Sequence, residues 1–311
     1  MGLRIHFSSH DMNRVTIDDA PDPLWELLLS LHMLQSDDGP EVFGRWRDQV
    51  RRTQPGRRLF RIAPPRGYSP DFLTPAEAVH GVTAGIEAVL STPRTRLRSE
   101  LGQLTTLRDR SSWERGLADG DREAVHELGT TLRGYYQDAL APHWPHMTKR
   151  VSARRVGRGT STAEVLSTLH PKVRWRAPVL ELDGDHVTGD LHLDGRGLRL
   201  IPSFFCWRTP TVLADQRLAP VLVYPIDRDQ DRHVPSPALI DLLGSTRAQV
   251  LAAAGGCTTS ELARRLAISM AGASYHTGIL RQAGLLRTQR TGSSVRHDLT
   301  RLGLELLGTN A

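Results

Sequence analysis

Residues Thr258 to Asp298 consist of the consecutive segments TTSELARRLAIS, MAGASYHTGILRQAGLL and RTQRTGSSVRHD. In the first segment, Leu262 and Leu266 stand four residues apart and therefore share one face of a short helix. Thr259 is its predicted N-cap, because threonine accepts hydrogen bonds from free amides at a helix start. Residues 267–269 form the predicted turn before the next helix.

The second segment predicts a longer helix that begins after Ser269, another residue type that caps helices. Gly284 is predicted to end it, because glycine adopts the left-handed backbone found after many helices. The mostly apolar inner side of this helix is predicted to comprise Ala273, Thr277, Ile279, Leu280 and Ala283.

A hairpin is predicted after the second helix. Residues 285–290 and 294–299 favour strands, and Thr291-Gly292-Ser293 between them is typical of a hairpin turn. The whole stretch therefore predicts a helix-turn-helix followed by a two-stranded wing. A helix-turn-helix places its second helix in the major groove of DNA.

The start of the second helix is expected to meet base edges. The candidate residues are Ser269, Met270, Ala271, Gly272, Ser274, Tyr275 and His276. Serine and histidine can hydrogen-bond to bases or phosphates, and Met270 and Ala271 can touch a thymine methyl group. The first turn and a half contains no Arg, Gln or Asn, so we expect DNA shape to carry a correspondingly larger part of the specificity. For Tyr275, a core or helix-packing role is the alternative.

Contacts to phosphates or the minor groove are expected from basic residues and from the tip of the wing. The candidates are Arg281, Arg287, Arg290, Arg296, Thr291, Gly292, Ser293 and Ser294. Arg264 and Arg265 are expected to lie on a solvated face instead.

The charge of the chain is concentrated near its end. From Ser245 onward, eight arginines against three acidic residues leave +5 of the whole chain's +6. A basic module beside a nearly neutral body is the electrostatic pattern of a nucleic-acid-binding domain. The alternative is a small arginine-rich helical domain whose charges serve solubility.

Length and composition limit the remaining possibilities. The chain has 311 residues, enough for two domains, and 39% of them are hydrophobic. No apolar run approaches the roughly 20 residues that cross a bilayer, and residues 1–10 lack the pattern of a secretory signal. Two cysteines, Cys206 and Cys257, are too few for a disulfide framework. These features predict a cytoplasmic protein without a membrane partner.

The rest of the chain predicts an α+β domain. Helical periodicity dominates residues 21–169 and predicts helices over about 24–34, 42–50, 74–90, 94–108 and 121–140. Alternating patterns with Asp-Gly turns over about 172–225 predict an antiparallel sheet. The polar, proline-containing run 227–237 is the best candidate for a linker. The expected division is residues 1–235, a mostly helical part followed by the sheet, and residues 236–311, the winged helix-turn-helix.

Residues 243–307 resemble an ArsR-type winged helix-turn-helix, a class of dimeric bacterial repressors. The resemblance rests on Leu243-Gly244-Ser245-Thr246-Arg247 opening a helix, SELAxxL from Ser260, SxxxxSxH from Ser269, LRxAGL from Leu280, and the glycine-containing wing. It implies a homodimer bound to a two-fold operator, with dimer surfaces expected from residues 239–254 and from Leu302, Leu304, Leu306 and Leu307.

The first part also resembles an uncharacterised domain that precedes such winged helices in some regulators from GC-rich bacteria. The segments that carry this resemblance are Pro23–Glu26, Pro64–Tyr68, Leu140–Pro145 and His170–Trp175. It implies no known chemistry.

The residues do not favour metal sensing. Metal sensors of the ArsR class carry a Cys-Val-Cys on the first helix of the motif, because thiolates hold soft metals tightly. Aligning Glu261-Leu262-Ala263 places Thr258 and Ser260 at the two cysteine positions. Cys257 has no partner nearby in sequence and is predicted to be a small buried residue. Neither a metal nor any other cofactor is expected.

Catalytic chemistry finds little support in the sequence. His143 and His146 stand three apart and are expected in a hydrogen-bonded corner instead of a metal site. The acidic and histidine residues between Asp183 and Asp194 alternate with apolar ones, which is typical of a solvated sheet face. No phosphate loop, dinucleotide fingerprint or serine elbow occurs, so we do not expect an enzyme.

The sequence thus predicts a transcriptional repressor that binds double-stranded DNA as a dimer. A non-metal signal, such as a small-molecule effector, is expected to act through residues 1–235. The aromatic residues of this part either line a pocket for such an effector or form plain core. Two alternatives stay open: an enzyme, or a purely structural dimerisation domain, fused to the DNA-binding module.

Overall fold

The computed structural model describes residues 2–53, 56–104, 111–152, 161–183, 188–226, 235–291 and 294–307. The α-helices are α1 (Ser9–Met12), α2 (Pro23–Leu34), α3 (Pro40–Thr53), α4 (Leu59–Ile62), α5 (Val82–Leu90), α6 (Arg94–Gly102), α7 (Ser112–Asp119), α8 (Arg122–Tyr135), α9 (Trp144–Ser152), α10 (Thr162–Thr168), α11 (Pro237–Leu243), α12 (Ser245–Ala253), α13 (Thr259–Arg265), α14 (Met270–Gln282) and α15 (Arg301–Leu306). The strands are β1 (Leu3–His6), β2 (Val15–Ile17), β3 (Val173–Arg176), β4 (Val179–Leu182), β5 (Gly189–His192), β6 (Leu198–Ser203), β7 (Thr211–Val212), β8 (Val221–Pro225), β9 (Cys257–Thr258), β10 (Leu286–Thr291) and β11 (Ser294–Leu299).

The chain divides into two compact units. The first unit comprises Met1–Ser36 and Thr53–Ile226, and the second comprises Asp37–Arg52 and Asp227–Ala311. The division predicted from the sequence left residues 37–52 in the first part, whereas the structure groups them with the C-terminal residues. Helix α3 is therefore an element of the second unit although it lies early in the chain.

Helix α2 lies almost completely in the core of the first unit. Its N-cap Asp22 accepts hydrogen bonds from the amides of Leu24 and Trp25, and Pro23 occupies the first turn, where its missing amide costs no hydrogen bond. Eleven of its twelve residues are buried. The helix predicted from the leucine spacing in this segment is confirmed.

Other helices of the first unit depart from the prediction. A single helix was expected from the Thr74 cap to Leu90, but a 3₁₀ segment at Ala76–His80 precedes α5. Gly81, with a φ of 111°, separates the two because this backbone conformation cannot continue a helix. The helix expected over 94–108 ends at Gly102, and its predicted continuation beyond 104 lies outside the described residues. The last turn of the helix expected to reach about Leu140 is a π-helix, Tyr136–Leu140.

The prediction of one antiparallel sheet over residues 172–225 is wrong in two respects. In the described part of the chain this region forms two four-stranded sheets, with strand orders β3-β4-β1-β5 and β2-β6-β8-β7. Both sheets are mixed, since β1 runs parallel to β5, and β6 runs parallel to β2 and to β8. Each sheet incorporates a strand from the first twenty residues, a pairing that local alternation cannot indicate.

Apolar residues of both sheets and of α10 form one core cluster. Its members include Ile5, Leu166, Leu180, Leu200 and Leu222. Strand β8 is buried along its whole length, as expected for a strand covered on both faces.

Buried carboxylates connect the loops of the first unit to its helices. Glu26 is fully buried on α2 and accepts hydrogen bonds from the amides of Phe204 and Phe205 at 2.6 and 2.9 Å. Asp71 is also buried and accepts from the amides of residues 214 and 215 at 3.0 and 2.7 Å. These carboxylates satisfy backbone donors of the loops, and the loop amides in turn satisfy the buried carboxylates.

The second unit is built from helices around a three-stranded antiparallel sheet of order β10-β11-β9. Helix α3 buries Phe43, Trp46 and Val50 along one face. The chain just before α3 contacts β10, since Nη2 of Arg287 donates to the carbonyl oxygen of Asp37 at 2.6 Å. In the described ranges, no helix is both long enough and apolar enough to cross a membrane.

Candidate nucleic-acid interface

Helix α13 begins one residue earlier than expected. Thr258, and not Thr259, is the N-cap, and its side chain accepts a hydrogen bond from the amide of Glu261, whose carboxylate in turn accepts from the Thr258 amide. This reciprocal capping box satisfies two free amides at the helix start. Burial raises the pKa of Glu261, but the hydrogen bonds from Thr258 and the charges of Arg296 and Arg264 outweigh it and lower the pKa overall.

The turn between α13 and α14 depends on one residue in the left-handed region. Ala267 has a φ of 52°, which reverses the chain between the two helices within a few residues. Ser269 caps α14 as predicted, because its side chain accepts from the amide of Gly272 at 3.0 Å. Gly284 has the predicted left-handed backbone, with a φ of 72°.

The two helices share a core with the hairpin. Leu262 of α13 and Ala273 and Leu280 of α14 are buried in one cluster with Leu286 and Leu299 of the strands. The predicted inner side of α14 is confirmed at Ala273, Thr277 and Leu280, whereas Ala283 is exposed. The core thus fixes which face of α14 remains open to solvent.

The hairpin is tied to α13 through His297. This histidine is 4% exposed on β11, and its ring nitrogens lie 2.9 Å from the hydroxyl of Thr259 and 3.2 Å from that of Thr288. Burial lowers the pKa of His297, an effect opposed by the negative charge of Asp298 and reinforced by the positive charge of Arg281. The neutral ring can donate to one hydroxyl and accept from the other.

The exposed face of α14 carries most of the residues predicted to meet bases. Met270 and Tyr275 are 52% and 64% exposed, and Ala271 and Ser274 are exposed as well. The exposure of Tyr275 excludes a core role, and a helix-packing role stays the alternative to DNA contact. Its ring packs edge-on against that of His276 at 5.4 Å.

Two predicted residues at this face are less available to DNA than their neighbours. Ser269 is occupied by its helix-capping hydrogen bond, although it is exposed. His276 is partly buried, and its Nδ1 atom is buried without a hydrogen-bond partner among the described residues. Direct base contact by these two side chains stays a prediction.

The helical period extends the open face beyond the residues predicted from the sequence. Gly278 lies one turn after Ser274, and a Cβ added there would meet no atom within 4 Å. Gln282, a further turn along, is exposed. The spacing of 271, 274, 278 and 282 along a 3.6-residue repeat was present in the sequence and is the signal that could have included both.

The four predicted arginines differ in their surroundings. Arg281 and Arg290 are exposed, and neither forms an ion pair with a residue that the structure describes. Arg287 lies opposite Asp298 in the hairpin register and donates to the Asp37 carbonyl. Arg296 is partly buried and acts on Glu261 through its charge. Of these four, Arg281 and Arg290 are the most available to phosphates.

The wing tip is described in part. Thr291, the last residue of β10, pairs with Ser294, the first residue of β11. The predicted contact residues Gly292 and Ser293 lie outside the described residues. The two predicted strands pair antiparallel, and Thr291, predicted in the turn, belongs to β10.

The positions aligned with metal-sensor cysteines have structural surroundings here. Thr258 serves as the cap of α13, and Ser260 is exposed in its first turn. Cys257 is 7% exposed, in agreement with its predicted burial, and Nη1 of Arg265 lies 3.4 Å from its sulfur.

Comparison with known proteins supports the identification of this region. A family model described as a helix-turn-helix domain matches residues 240–289, which include α12, α13 and α14. Searches among curated proteins and among solved structures found no match. The second unit therefore contains a helix-turn-helix domain, which supports a DNA-binding regulator.

Proposed function

We propose that the protein is a transcriptional repressor of the ArsR-like winged helix-turn-helix type. The observation that carries this proposal is the open face of α14. Ala271, Ser274 and Tyr275 are exposed, and a Cβ at Gly278 would meet no atom within 4 Å, so one side of this 13-residue helix is open. Its other side is fixed by the core. Such a face fits the major groove, and the hairpin beside it is then the wing.

The character of the face favours a particular mode of recognition. Small residues at 271, 274 and 278 permit close approach of the helix to DNA, and Met270 and Tyr275 offer apolar contact to thymine methyl groups. Long basic or amide side chains are absent from its first turn and a half. We therefore propose that shape readout and phosphate contacts supply a large part of the binding.

A homodimer on a two-fold operator is part of this proposal. Leu242 on α11 and Leu302 on α15 are 70% and 54% exposed, and both lie in the segments whose apolar residues were predicted to form the dimer surface. Leu304, from the same prediction, is buried within the unit and supports the fold instead. Burying two leucines per subunit favours association by roughly 2 kcal/mol for each side chain.

The first unit is proposed to receive a non-metal signal. Its buried carboxylates Glu26 and Asp71 are occupied by pairs of backbone amides, which favours a structural role over general acid–base chemistry. We therefore propose a sensing function for this unit in preference to an enzymatic one.

Binding of a labelled random-sequence DNA duplex, followed by fluorescence anisotropy against salt concentration, tests the DNA-binding part. We expect a linear fall of the logarithm of the association constant with the logarithm of salt concentration. Absence of binding at low salt contradicts the proposal.

Sedimentation of a Leu242→Glu, Leu302→Glu variant tests the dimer, because a charge buried in an interface is unfavourable. We expect a dimer for the wild type and a monomer for the variant. A wild-type monomer, or a variant that dimerises equally well, contradicts this part.

A further inference from the structure

The first unit contains a cleft between the end of α5, the start of α6 and the first turns of α8. Its volume is about 680 Å³, within the range of about 300–1,000 Å³ typical of small-molecule sites. The predicted aromatic pocket residues do not line it, so this cleft is distinct from the pocket expected from the sequence.

The floor of the cleft is apolar. Leu97 of α6 is buried, and Leu90 of α5 and Val125 of α8 are partly buried beside it. Three aliphatic side chains from three helices thus form one surface that can accept the hydrocarbon body of a ligand.

The rim of the cleft is mainly basic. Arg122 and His126 lie one turn apart on α8, both exposed, and Arg94 stands on the α6 side. Arg94 also pairs with Asp119 at 3.1 Å, whereas Arg122 forms no ion pair with a described residue. Glu123 is the acidic residue among those that line the cleft.

We propose that this cleft binds a small amphipathic anion. The hydrocarbon or aromatic part lies on Leu90, Leu97 and Val125, and the carboxylate, sulfonate or phosphate group meets Arg122 and His126. An arginine fork pairs with two oxygens of such a group at once, which orients the ligand across the rim. The proposal that an anion binds here depends only on the residues of the cleft. The further proposal that this anion is the signal of the regulator rests on the proposed function.

The charge requirement is testable with two probes that share one ring system. The anionic probe is 1-anilinonaphthalene-8-sulfonate, and the neutral probe is N-phenyl-1-naphthylamine, which lacks the sulfonate. Fluorescence titrations compare the full wild-type chain with an Arg122→Ala, His126→Ala variant. The variant should bind the anionic probe about fivefold or more weakly than the wild type, whereas its affinity for the neutral probe should fall less than about twofold. Both side chains are exposed, so the variant should keep the wild-type melting temperature.

Two further variants test whether the probes bind in this cleft. Arg66→Ala removes one exposed positive charge elsewhere in the first unit and should leave both affinities unchanged. Val125→Trp places an indole in the cleft and should weaken both probes. The proposal is overturned if Arg66→Ala lowers the affinity for the anionic probe as much as the Arg122→Ala, His126→Ala variant does. It is also overturned if the latter variant keeps the wild-type affinity for the anionic probe, or if Val125→Trp keeps both affinities.

Measurements of DNA binding distinguish a failure of the anion site from a failure of the proposed function. The Arg122→Ala, His126→Ala variant should bind DNA as well as the wild type in the absence of ligand, because its changes lie in the first unit. If the wild-type chain binds the anionic probe through the rim residues but binds no DNA, the anion site stands and the proposed DNA-binding function is contradicted. A chain that binds DNA without a rim-dependent anion site contradicts the cleft assignment alone.

Discussion

The Nε2 atom of His297 lies 2.9 Å from the hydroxyl oxygen of Thr259. This hydrogen bond joins the second strand of the hairpin to the first helix of the helix-turn-helix across 38 residues of sequence. Since His297 also contacts Thr288 on β10, one buried ring holds α13 and both strands in a defined arrangement. The position of the hairpin relative to the helices therefore depends on this residue.

Replacing His297 by Ala should destabilise the second unit by about 2–4 kcal/mol, because it leaves a cavity and two hydroxyl groups without their partner. Thr259→Val should cost less, and the double variant should cost less than the sum of the two single changes. Hydrogen exchange of amides in β9, α13 and the hairpin measures these losses. Strictly additive effects would show that the two residues do not interact.

The stability of the first unit should depend on pH through His32. Burial lowers the pKa of His32 to about 4, whereas an unfolded histidine titrates near 6.5. The unfolded chain therefore takes up the proton first, so stability present above about pH 6.5 is lost as the pH falls toward 4. The loss amounts to roughly 3 kcal/mol.

A His32→Gln variant provides the control for this dependence. Glutamine can keep a hydrogen bond to Ser69, which lies 3.0 Å from the His32 ring, but it does not titrate. Urea denaturation at pH 7, 6, 5 and 4 should show a smaller decrease between pH 6.5 and 4 for the variant than for the wild type. Parallel curves would mean that His32 is not protonated preferentially in the unfolded chain.

Arg290 should contribute to DNA affinity without sequence preference. It is exposed on β10 opposite Val295, so Arg290→Ala should weaken binding to every duplex and reduce the slope of log affinity against log salt by about 0.9. Arg301→Ala removes another exposed arginine of the same unit, one that pairs with Glu305, and serves as the matched control. An unchanged slope for Arg290→Ala would remove this residue from the interface.

Tyr275 should contribute to binding and not to stability. Because its side chain is 64% exposed, Tyr275→Ala should leave the melting temperature within about 2 °C of the wild type. Affinity for a duplex that the wild-type chain selects from a random pool should fall roughly tenfold, because contact with base edges is lost. Val79→Ala, an exposed apolar position in the first unit, should change neither quantity. A large stability loss with unchanged affinity would assign Tyr275 to packing.

The helix-turn-helix was predictable because its signals are local. Ser269 and Gly284 mark the ends of α14 through capping rules that depend on a few neighbouring residues. The leucine spacing of α13 and the hairpin pattern act over similarly short distances. The exposed face of α14 followed from the same period, but the prediction covered only its first turns and did not include Gly278 and Gln282 further along.

The remaining architecture depends on contacts between distant residues. Strand β1 pairs with β5, placing Ile5 beside Leu191, and no local pattern indicates a partner so far along the chain. The apolar face of α3, which includes Phe43 and Trp46, predicts that this face is buried. It does not indicate which of the two units the helix belongs to. The role of Arg287 likewise became clear only from its contact with the Asp37 carbonyl.

The open face of α14, together with the hairpin, is proposed to recognise specific double-stranded DNA. Selection from a random duplex pool by the wild-type chain and by a Tyr275→Ala, Arg290→Ala variant tests it most directly. The wild type should enrich a motif of two half-sites related by two-fold symmetry, centred about one helical turn or a multiple of it apart, and the variant should enrich it weakly or not at all. A wild-type pool without an enriched motif, or equal enrichment by the variant, would contradict the account.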